Sequence, residues 1–236
     1  MWKGKKISVV MPAYNEEAGI YDVIKGFKQI KVVDEIVVVD NNSKDSTLKI
    51  AKKLGVKVVK EKKQGYGHAC VRALKEASGE YVVLVESDNS FVSTDIYKFL
   101  VYIDHFDIVK GGRINKSLIS KDADWDLFLK WGNWFISKII QILYYGPSMS
   151  EAGGTFRIIK RKCIKKILPK ITSYNSAFLP DMVTLALRYN FDILEIPVNY
   201  RNRKGQSKIT GYRLNAFFVG LDMIKVILYN RIRKLN

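Results

Sequence analysis

The sequence predicts an α/β protein in which a mostly parallel central sheet is flanked by helices. Short aliphatic runs without polar alternation, such as ISVVM, IVVV and VVLV, are typical of strands that are buried on both faces. These runs alternate with longer segments that carry apolar residues at helical spacing, an order typical of strand–helix–strand units. The 236 residues include no low-complexity tract and no internal repeat, and 47% are hydrophobic, so a sizeable core is expected.

The first half of the chain alternates five predicted strands with four predicted helices. The strands are KKISVVMPAY, DEIVVVDNNS, VKVVKEKK, EYVVLVESD and FDIVKGG. The helices are expected from about Glu16 to Gln29, from a cap at Asp45-Ser46-Thr47, from QGYGH to near Ser78-Gly79, and from about Thr94 to His105. Ligands of such sheets bind outside the carboxyl ends of the strands, so we expect a site at those ends.

Two amphipathic helices are predicted in the second half, at 125–146 and at 213–236. The first has a polar stripe opposite an apolar one, namely Lys130, Asn133, Ser137 and Gln141 against Trp131, Phe135, Ile139 and Ile142. This pattern suits a helix packed on a core and equally a helix in a membrane interface. Asp222 and Lys225 interrupt the second helix, which therefore lacks the uncharged length of a transmembrane helix. Its pattern favours a basic helix that anchors the protein to a membrane surface.

The composition is strongly basic, because 40 Lys and Arg residues against 23 Asp and Glu residues give a formal net charge of +17. Such an excess indicates an anionic partner, which can be nucleic acid, an anionic membrane surface or a phosphorylated small molecule. The N-terminus MWKGKKISVV passes straight into a strand pattern, and the two cysteines, Cys70 and Cys163, lack metal-ligand spacing. We therefore expect a cytoplasmic protein with two buried thiols.

Polar residues, glycines and carboxylates follow the predicted strands at the edge where ligands are expected. In chain order they are Pro12, Ala13, Tyr14, Asn15 and Glu16; Asp40, Asn41, Asn42 and Ser43; Gln64, Gly65, Tyr66 and Gly67; and Glu86, Ser87 and Asp88. One such group is ordinary turn chemistry, whereas four groups on one edge indicate a binding site. A nucleic-acid-binding protein would leave the carboxylates unexplained, since they repel phosphate, so we expect no nucleic-acid partner.

Glu86 and Asp88 are the strongest candidates for metal ligands. The sequence contains neither G-x-G-x-x-G after its first strand nor the phosphate loop G-x-x-x-x-G-K-[ST]. A protein that binds a phosphorylated ligand without such a loop generally needs a bound cation. Two carboxylates one residue apart at a strand end can hold Mg²⁺ or Mn²⁺ on a diphosphate. We expect Asp88 to be a direct ligand and Glu86 to be either a ligand or a water-mediated neighbour.

Six segments occur in an order that is similar to one enzyme family. They are VVMPAYNEE, VVVDNNSKDST, QGYGHACVRALKEASGEYVVLVESD, DIVKGGR, MSEAGGTFRIIKR and EIPVNYRNRKGQSKI. From Ile7 to about Thr210 the chain thereby resembles the family 2 glycosyltransferases of the GT-A fold. More narrowly, it resembles the dolichyl-phosphate (polyprenyl-phosphate) sugar synthases, in which VESD takes the place of the metal-binding D-x-D.

The resemblance implies a site for a nucleoside-diphosphate sugar, with GDP-mannose and UDP-glucose as the leading donors. The donor-binding positions that it implies are Pro12, Ala13, Tyr14, Glu16, Asp40, Asn42, Gln64, Gly65, Glu86, Ser87 and Asp88. Among these, Glu86 and Asp88 would hold Mg²⁺ or Mn²⁺ on the diphosphate. Gly65 would permit a close approach of the backbone to the donor.

The resemblance also implies a polyprenyl or dolichyl phosphate as the acceptor, in an inverting single displacement. The implied acceptor-phosphate positions are Arg113, Arg203, Ser207 and Lys208, and the implied catalytic set is Asp88, Asp181, Arg203 and Lys208. Because a lipid phosphate is already anionic, Asp181 is expected to position groups rather than to remove a proton. If the acceptor is instead a hydroxyl of a glycan or lipid-linked saccharide, Asp181 would be the general base.

Three residues depart from the family pattern. Glu86 replaces the first aspartate of the D-x-D, Glu151 replaces another aspartate, and Thr155 stands where glycine is usual. None of these changes removes a charge, so metal-dependent transfer is still expected.

The resemblance divides the chain into a catalytic domain, 1–212, and a basic amphipathic helix, 213–236. Within the domain, about 1–112 would bind the nucleotide sugar and 113–212 would bind the acceptor. The expected location is the cytoplasmic face of a membrane, with peripheral attachment through the amphipathic helices.

Overall fold

Residues 1–113, 115–123, 127–205 and 213–235 are described by a computed structural model, and their strands form one seven-stranded sheet. The strands are β1 (Ile7–Ala13), β2 (Glu35–Asp40), β3 (Lys57–Lys60), β4 (Tyr81–Leu84), β5 (Ile108–Gly112), β6 (Arg157–Lys160) and β7 (Ile193–Pro197). Their order across the sheet is β3-β2-β1-β4-β6-β5-β7. In this sheet β6 runs antiparallel to β4 and β5, and the other neighbours are parallel. The predicted α/β class with a mostly parallel sheet is confirmed.

Eight α-helices are present in the described residues. They are α1 (Ile20–Lys28), α2 (Thr47–Lys53), α3 (Tyr66–Glu76), α4 (Ile96–Tyr102), α5 (Leu127–Tyr144), α6 (Arg161–Ile167), α7 (Phe178–Arg188) and α8 (Arg213–Ile232). The helix predicted from Glu16 begins later, because Glu16 lies in a turn whose carbonyl accepts hydrogen bonds from the amides of Gly19 and Ile20. Before α2, Asp45 Oδ1 accepts a hydrogen bond from the Thr47 amide at 3.0 Å, whereas the side chain of Ser46, at the N-cap position, makes no capping hydrogen bond.

All five strands predicted in the first half are present, whereas β6 and β7 were not predicted. Each of these two strands is short, and charged residues interrupt the apolar pattern of both. Arg157 of β6 is nevertheless fully buried, and its side chain donates to the carbonyls of Gly154 and Thr155. These hydrogen bonds offset part of the cost of burying the guanidinium, a burial that apolar periodicity alone does not predict.

The sheet is buried on both faces, which explains why its central strands lack polar alternation. Successive residues of a strand point to opposite faces, so Val10 and Leu84 join one apolar cluster while Val9 and Val83 join the other. The first cluster includes residues of α3, α6, α7 and α8, and the second includes residues of α1 and α4. The carboxyl ends of β1, β2 and β4 meet at one edge of this layered core.

The two long helices of the second half pack against each other, and each has an apolar face that remains exposed. On α5, the side chains of Trp131, Phe135 and Ile142 are 64%, 56% and 71% exposed, while Ser137 is buried. The polar stripe predicted for this helix therefore faces the protein, and the predicted apolar stripe faces outward except for Ile139, which packs against the core. We call the exposed residues of both helices the apolar face; they are Trp131, Trp134, Phe135, Ile142, Leu214, Phe217, Phe218 and Ile232.

The helix predicted at 213–236 corresponds to α8, and it is attached to the remainder of the fold by its buried side. Met223 and Ile227 belong to the apolar cluster beneath the sheet, and α8 also packs against α7. Among the described residues, no helix combines the length and the apolar character needed to cross a membrane.

Candidate active site

A cavity of about 420 Å³ opens at the carboxyl ends of β1 and β4. This volume lies within the range of small-ligand sites. Its lining combines residues that follow the strands with residues of α3, α5, α7, α8 and the segment after β7. Examples from each part are Pro12, Ala13, Tyr14, Glu16, Asn41, Gln64, Tyr66, Glu86, Ser87, Asp88, Arg113, Leu129, Lys130, Asn133, Thr155, Leu179, Tyr200, Arg203, Val219 and Met223.

Asp88 lies in the tight turn that follows β4, with its side chain buried at the cavity wall. Its Oδ1 accepts hydrogen bonds from the Ser90 amide at 3.0 Å and from Ser90 Oγ at 2.6 Å. Ser87 Oγ donates to the Pro12 carbonyl at 2.9 Å, which joins this turn to the end of β1. Gly19 packs closely against the backbone of this turn. A Cβ at Gly19 would lie 2.7 Å from the carbonyl carbon of Asp88, so a larger residue would not fit there.

Glu86 lies beside Asp88 and is held by Thr155, which precedes β6, the strand next to β4 in the sheet. Thr155 Oγ1 donates to Glu86 Oε1 at 2.8 Å, and the Tyr66 hydroxyl lies 2.7 Å from the same Thr155 oxygen. Burial and then the negative charge of Asp88 raise the pKa of Glu86 to about 7, against the lowering effects of the Thr155 hydrogen bond and the nearby arginines. Burial likewise raises the pKa of Tyr66 well above its ordinary value, so the phenol keeps its proton.

The carboxylate pair fits a divalent cation. Burial, and secondarily the negative charge of Asp88, raises the pKa of Glu86, and a bound cation would favour the ionised carboxylate against both effects. Carboxylate oxygens are the ligands that Mg²⁺ and Mn²⁺ prefer. Within the described residues, no cluster of three or more His, Cys, Asp or Glu side chains is placed to hold a metal. The remaining coordination positions therefore suit phosphate oxygens and water.

Arg113, at the end of β5, is positioned by two residues that are distant in the sequence. Its Nε donates to Glu151 Oε2 at 3.0 Å, and its Nη2 forms an ion pair with the other oxygen of the same carboxylate. The guanidinium carbon lies 4.7 Å from the centre of the Tyr200 ring. Arg113 is therefore held at the cavity in a defined orientation, with the Nε and Nη2 side of its guanidinium directed at Glu151.

Arg203 approaches the carboxylates from the segment that follows β7. Its Nη2 lies 3.4 Å from Glu16 Oε1 and 3.5 Å from Asp88 Oδ2. Backbone hydrogen bonds fasten this segment, since the Arg201 amide donates to the Ser90 carbonyl and the Lys204 amide donates to the Asp88 carbonyl, each at 2.8 Å. The other two predicted phosphate-binding residues, Ser207 and Lys208, lie outside the described residues.

Of the predicted donor residues, Pro12, Ala13, Tyr14, Glu16, Gln64, Glu86, Ser87 and Asp88 line the cavity. Three others lie next to it and do not line it. Asp40 is buried and accepts from the Ser43 amide at 3.3 Å, and Asn42 is exposed with its amide donating to Gln64 Oε1 at 3.1 Å. Gly65 has φ +143° and faces the Tyr174 carbonyl, so its special conformation serves that close approach.

Asn41 lines the cavity, whereas its neighbours Asp40 and Asn42 do not. Its Nδ2 donates to the carbonyls of Glu61 and Lys63, and its Oδ1 accepts from the Gly65 amide at 2.9 Å. Asn41 thereby fixes the loop that carries Gln64. The strand-end group predicted from the sequence includes Asn41, whereas the family resemblance implies donor-binding roles for its neighbours Asp40 and Asn42.

Asp181 does not line the cavity, and it is fully buried in the first turn of α7. Its Oδ2 accepts from the amides of Thr172 and Ser173, each at 2.7 Å, and its Oδ1 accepts from Asn230 Nδ2 at 2.8 Å. A general base must reach the proton that it removes. The geometry therefore argues against the catalytic role predicted for Asp181, because both oxygens are engaged within the protein and neither faces the cavity.

Several cavity residues were not predicted as site residues. Tyr66, Thr155 and Tyr200 meet the strand-end carboxylates and Arg113 only through the folding of distant segments. Lys130 and Asn133 belong to the polar stripe recognised on α5, and that stripe was the signal that could have revealed them. Asn133 Oδ1 accepts from the Gly153 amide at 3.1 Å, which fastens α5 to the loop preceding Thr155.

Comparisons with known proteins agree with this fold. Residues 8–168 match the sequence profile of glycosyl transferase family 2. A dolichyl-phosphate hexose transferase of Haloferax volcanii is 28% identical over 228 residues, covering 96% of this chain and 96% of that protein. A dolichyl-phosphate beta-glucosyltransferase of Dictyostelium discoideum is 26% identical over 254 residues, covering 97% of this chain and 75% of that protein.

A solved structure confirms the GT-A architecture expected from the sequence. Glucosyl-3-phosphoglycerate synthase of Mycobacterium tuberculosis, in complex with Mn²⁺, uridine diphosphate and glucosyl-3-phosphoglycerate, superimposes with a TM-score of 0.75 at 18% identity. The match covers 99% of this chain and 82% of that one. Because the family profile spans more than half of the chain, the protein belongs to glycosyl transferase family 2 and is a glycosyltransferase.

Proposed function

We propose that the protein transfers a hexose from a nucleoside-diphosphate sugar to a polyprenyl or dolichyl phosphate at a membrane surface. The observation that carries this proposal is the composition of the cavity wall. Part of the lining is charged and consists of Glu86, Asp88 and Arg113, whereas another part is apolar and consists of Leu129, Val219 and Met223 from the helices that bear the apolar face. A site that accepts a phosphate joined to a hydrocarbon chain needs charged residues for the phosphate and apolar residues for the chain. The two curated relatives, whose names include dolichyl phosphate, support the same acceptor class.

The donor would lie along the ends of β1 and β4. In this arrangement Pro12, Ala13, Tyr14 and Glu16 contact the nucleoside, and Gln64 lies beside the donor. GDP-mannose and UDP-glucose are the donors that we propose. Mg²⁺ or Mn²⁺, held by Asp88 and Glu86 on the diphosphate, would stabilise negative charge on the leaving phosphate.

The acceptor phosphate would approach between Arg113 and Arg203. Both guanidinium groups are already oriented by carboxylates, so little reorganisation is needed when an anion binds. A phosphate oxygen of the acceptor forms a bond to the anomeric carbon while the bond from that carbon to the diphosphate oxygen breaks. This single displacement inverts the anomeric configuration and releases the nucleoside diphosphate. Ser207 and Lys208 would add contacts to the acceptor phosphate.

No general base is required for this reaction, because the attacking oxygen is already anionic near neutral pH. This feature agrees with the burial of Asp181 away from the cavity. Transfer to a hydroxyl, the alternative in which Asp181 is the base, is less compatible with that placement.

The apolar face would rest in the interface of the membrane that contains the lipid acceptor. Aromatic residues and lysines are typical of helices that lie at this depth, and Lys138 lies 5.9 Å from the centre of the Trp134 ring. We propose attachment to the cytoplasmic face, with 1–112 as the nucleotide-sugar half, 113–212 as the acceptor half and 213–236 as the basic amphipathic helix. The net charge of +17 would favour an anionic lipid surface.

The test is a screen of nucleotide sugars with Mg²⁺ or Mn²⁺ and a short-chain polyprenyl phosphate, in which the lipid-linked sugar is measured. We expect product with one donor, loss of product in EDTA and loss of at least about 10²-fold in activity for Asp88→Asn. A polyprenyl alcohol serves as the matched acceptor that lacks a phosphate. A folded enzyme that glycosylates the alcohol or a glycan hydroxyl, and not the phosphate, would contradict the proposal.

A further inference from the structure

Thr155 joins two cavity residues that belong to different elements of the fold. Its hydroxyl oxygen lies 2.7 Å from the Tyr66 hydroxyl at the start of α3 and 2.8 Å from Glu86 Oε1 after β4. All three side chains line the cavity, and Thr155 itself is buried. The three oxygen atoms therefore form one continuous hydrogen-bonded chain that ends on the carboxylate.

The direction of this chain follows from the number of protons available. A threonine hydroxyl has one proton, and a carboxylate oxygen only accepts when it is ionised. When Glu86 is ionised, as it would be with a bound cation, Thr155 gives its proton to Glu86 Oε1, and its lone pair then accepts from Tyr66. Each hydrogen bond polarises the next, which strengthens the bond received by the carboxylate.

Both donors are held by backbone contacts that do not involve Glu86. On one side, buried Arg157 donates from Nε to the Thr155 carbonyl at 3.3 Å and from Nη2 to the Gly154 carbonyl. On the other side, the amide of Gly67, next to Tyr66, donates to the Tyr174 carbonyl at 3.0 Å. The hydroxyl of Thr155 is consequently a fixed point against which a flexible side chain can be oriented.

The side chain of Glu86 requires more orientation by its neighbours than an aspartate at the same position would. A glutamate side chain has one more rotatable bond than aspartate, and restricting these bonds on ligand binding costs conformational entropy. In contrast, Asp88 is already oriented by two hydrogen bonds from Ser90. Among the described residues, the hydrogen-bond contact of Glu86 Oε2 is a long one of 3.5 Å to Ser90 Oγ. The hydrogen bond from Thr155 is thus the principal constraint on the direction of this carboxylate.

We propose that Thr155, supported by Tyr66, is a positioning residue that directs Glu86 toward the metal–diphosphate group and so allows a glutamate to serve at this position. The inference rests on the proposed function, because it assigns Glu86 to the metal. Oε1 is held by the hydroxyl, and Oε2 is left for the cation or for a water molecule bound to it. Groups that orient a metal-binding carboxylate typically change metal affinity by about 10- to 100-fold when they are removed.

The test measures Mn²⁺ binding directly, by the electron paramagnetic resonance signal of free Mn²⁺ in titrations that contain UDP or GDP and no acceptor. Thr155→Val keeps the shape and removes the hydroxyl, and we expect about 10-fold weaker Mn²⁺ binding. Thr155→Ser keeps the hydroxyl and should recover most of the affinity. Tyr66→Phe should weaken binding less, because Thr155 can still donate. Thermal unfolding of each variant shows whether the fold is retained.

A double-mutant cycle with Glu86→Asp separates positioning from a general loss of structure. The shorter side chain cannot reach Thr155, so Thr155→Val should have little effect on Mn²⁺ binding in the Glu86→Asp background. Equal losses in both backgrounds, or unchanged Mn²⁺ binding by Thr155→Val and Tyr66→Phe, would overturn the inference. If the wild-type protein binds no Mn²⁺ with either nucleotide, the proposed metal role fails instead, and the two failures are thereby distinguished.

Discussion

Asn230 of α8 donates a hydrogen bond of 2.8 Å to the buried carboxylate of Asp181 at the start of α7. The other oxygen of Asp181 orders the amides of Thr172 and Ser173. The next residue, Tyr174, accepts from the Gly67 amide at the beginning of α3. One carboxylate therefore connects a helix that bears the apolar face with the loop that leads into the donor side of the cavity.

Substitution of Asp181 distinguishes this structural role from a catalytic one. Asp181→Asn keeps an oxygen for the two amides, so turnover should stay within about 10-fold of the wild type, whereas removal of a general base costs about 10²- to 10⁴-fold. Asp181→Ala leaves buried donors without partners and should lower the free energy of unfolding by about 3 kcal/mol. Initial rates and urea unfolding of both variants provide the measurement. A stable Asp181→Asn protein without turnover would restore the general-base hypothesis.

Glu151 should affect the acceptor through Arg113. Glu151→Gln removes the charge that orients the Arg113 guanidinium, and we expect the KM for the polyprenyl phosphate to rise by about 10-fold or more while the KM for the donor changes less. Glu76→Gln is the matched control, since Glu76 pairs with Lys57 and Arg72 on the surface away from the cavity. Equal effects of the two substitutions would contradict the assigned role of Glu151.

The apolar face should control binding to membranes without controlling the chemistry. Trp131→Ser combined with Phe135→Ser should reduce sedimentation with anionic vesicles by about 10-fold or more, because two largely exposed aromatic side chains no longer enter the interface. Activity toward a water-soluble short-chain acceptor should persist. Tyr97→Ser on α4, which also removes a half-exposed aromatic side chain, is the control and should bind vesicles like the wild type. Unchanged sedimentation of the double variant would exclude α5 as an anchor.

Glu35 should contribute to the pH dependence of stability at the edge of the sheet opposite the cavity. Burial raises the pKa of Glu35, but hydrogen bonds from Ser8 and from the amide and hydroxyl of Ser78 outweigh it, so the net pKa lies below the ordinary value of 4.5. A lowered pKa in the folded state means that the stabilisation is present above pH 4.5 and is lost as the pH falls below it.

Urea unfolding between pH 3 and 6 measures this contribution. Glu35→Gln should be less stable than the wild type near pH 6, and the difference should shrink as the pH falls. Ser8→Ala, which removes one donor, should shift the profile in the same direction by a smaller amount. Parallel profiles of wild type and Glu35→Gln would show that Glu35 has the same pKa in both states.

Much of the donor side of the site could be predicted from the sequence because its residues follow strands directly. The apolar runs identify β1, β2 and β4, and parallel pairing then requires that their carboxyl ends meet. Pro12, Tyr14, Glu86 and Asp88 accordingly reach one cavity. The direction of a side chain at a strand end depends on the local turn, which is why Asn41 lines the cavity and Asp40 does not.

The second half of the chain was less predictable, since its contacts join residues that are far apart. The polar stripe of α5 was recognised, but only the packing of α5 against α8 decides that this stripe faces the cavity and the aromatic residues face outward. The position of Asp181 in the sequence led the family resemblance to imply a catalytic role for it. Its burial and its contact with Asn230, 49 residues later, assign it to the structure of the acceptor side.

The sequence by itself determined the α/β class, the five strands of the first half, the cavity edge and the two carboxylates, because periodicity and strand-end composition are local properties. The tertiary structure decided how those carboxylates are oriented and which cations meet them. Thr155 reaches Glu86 across 69 residues, and Glu151 reaches Arg113 across 38. Contacts of this kind depend on how β6 inserts antiparallel between β4 and β5, and no local pattern in the sequence specifies that insertion.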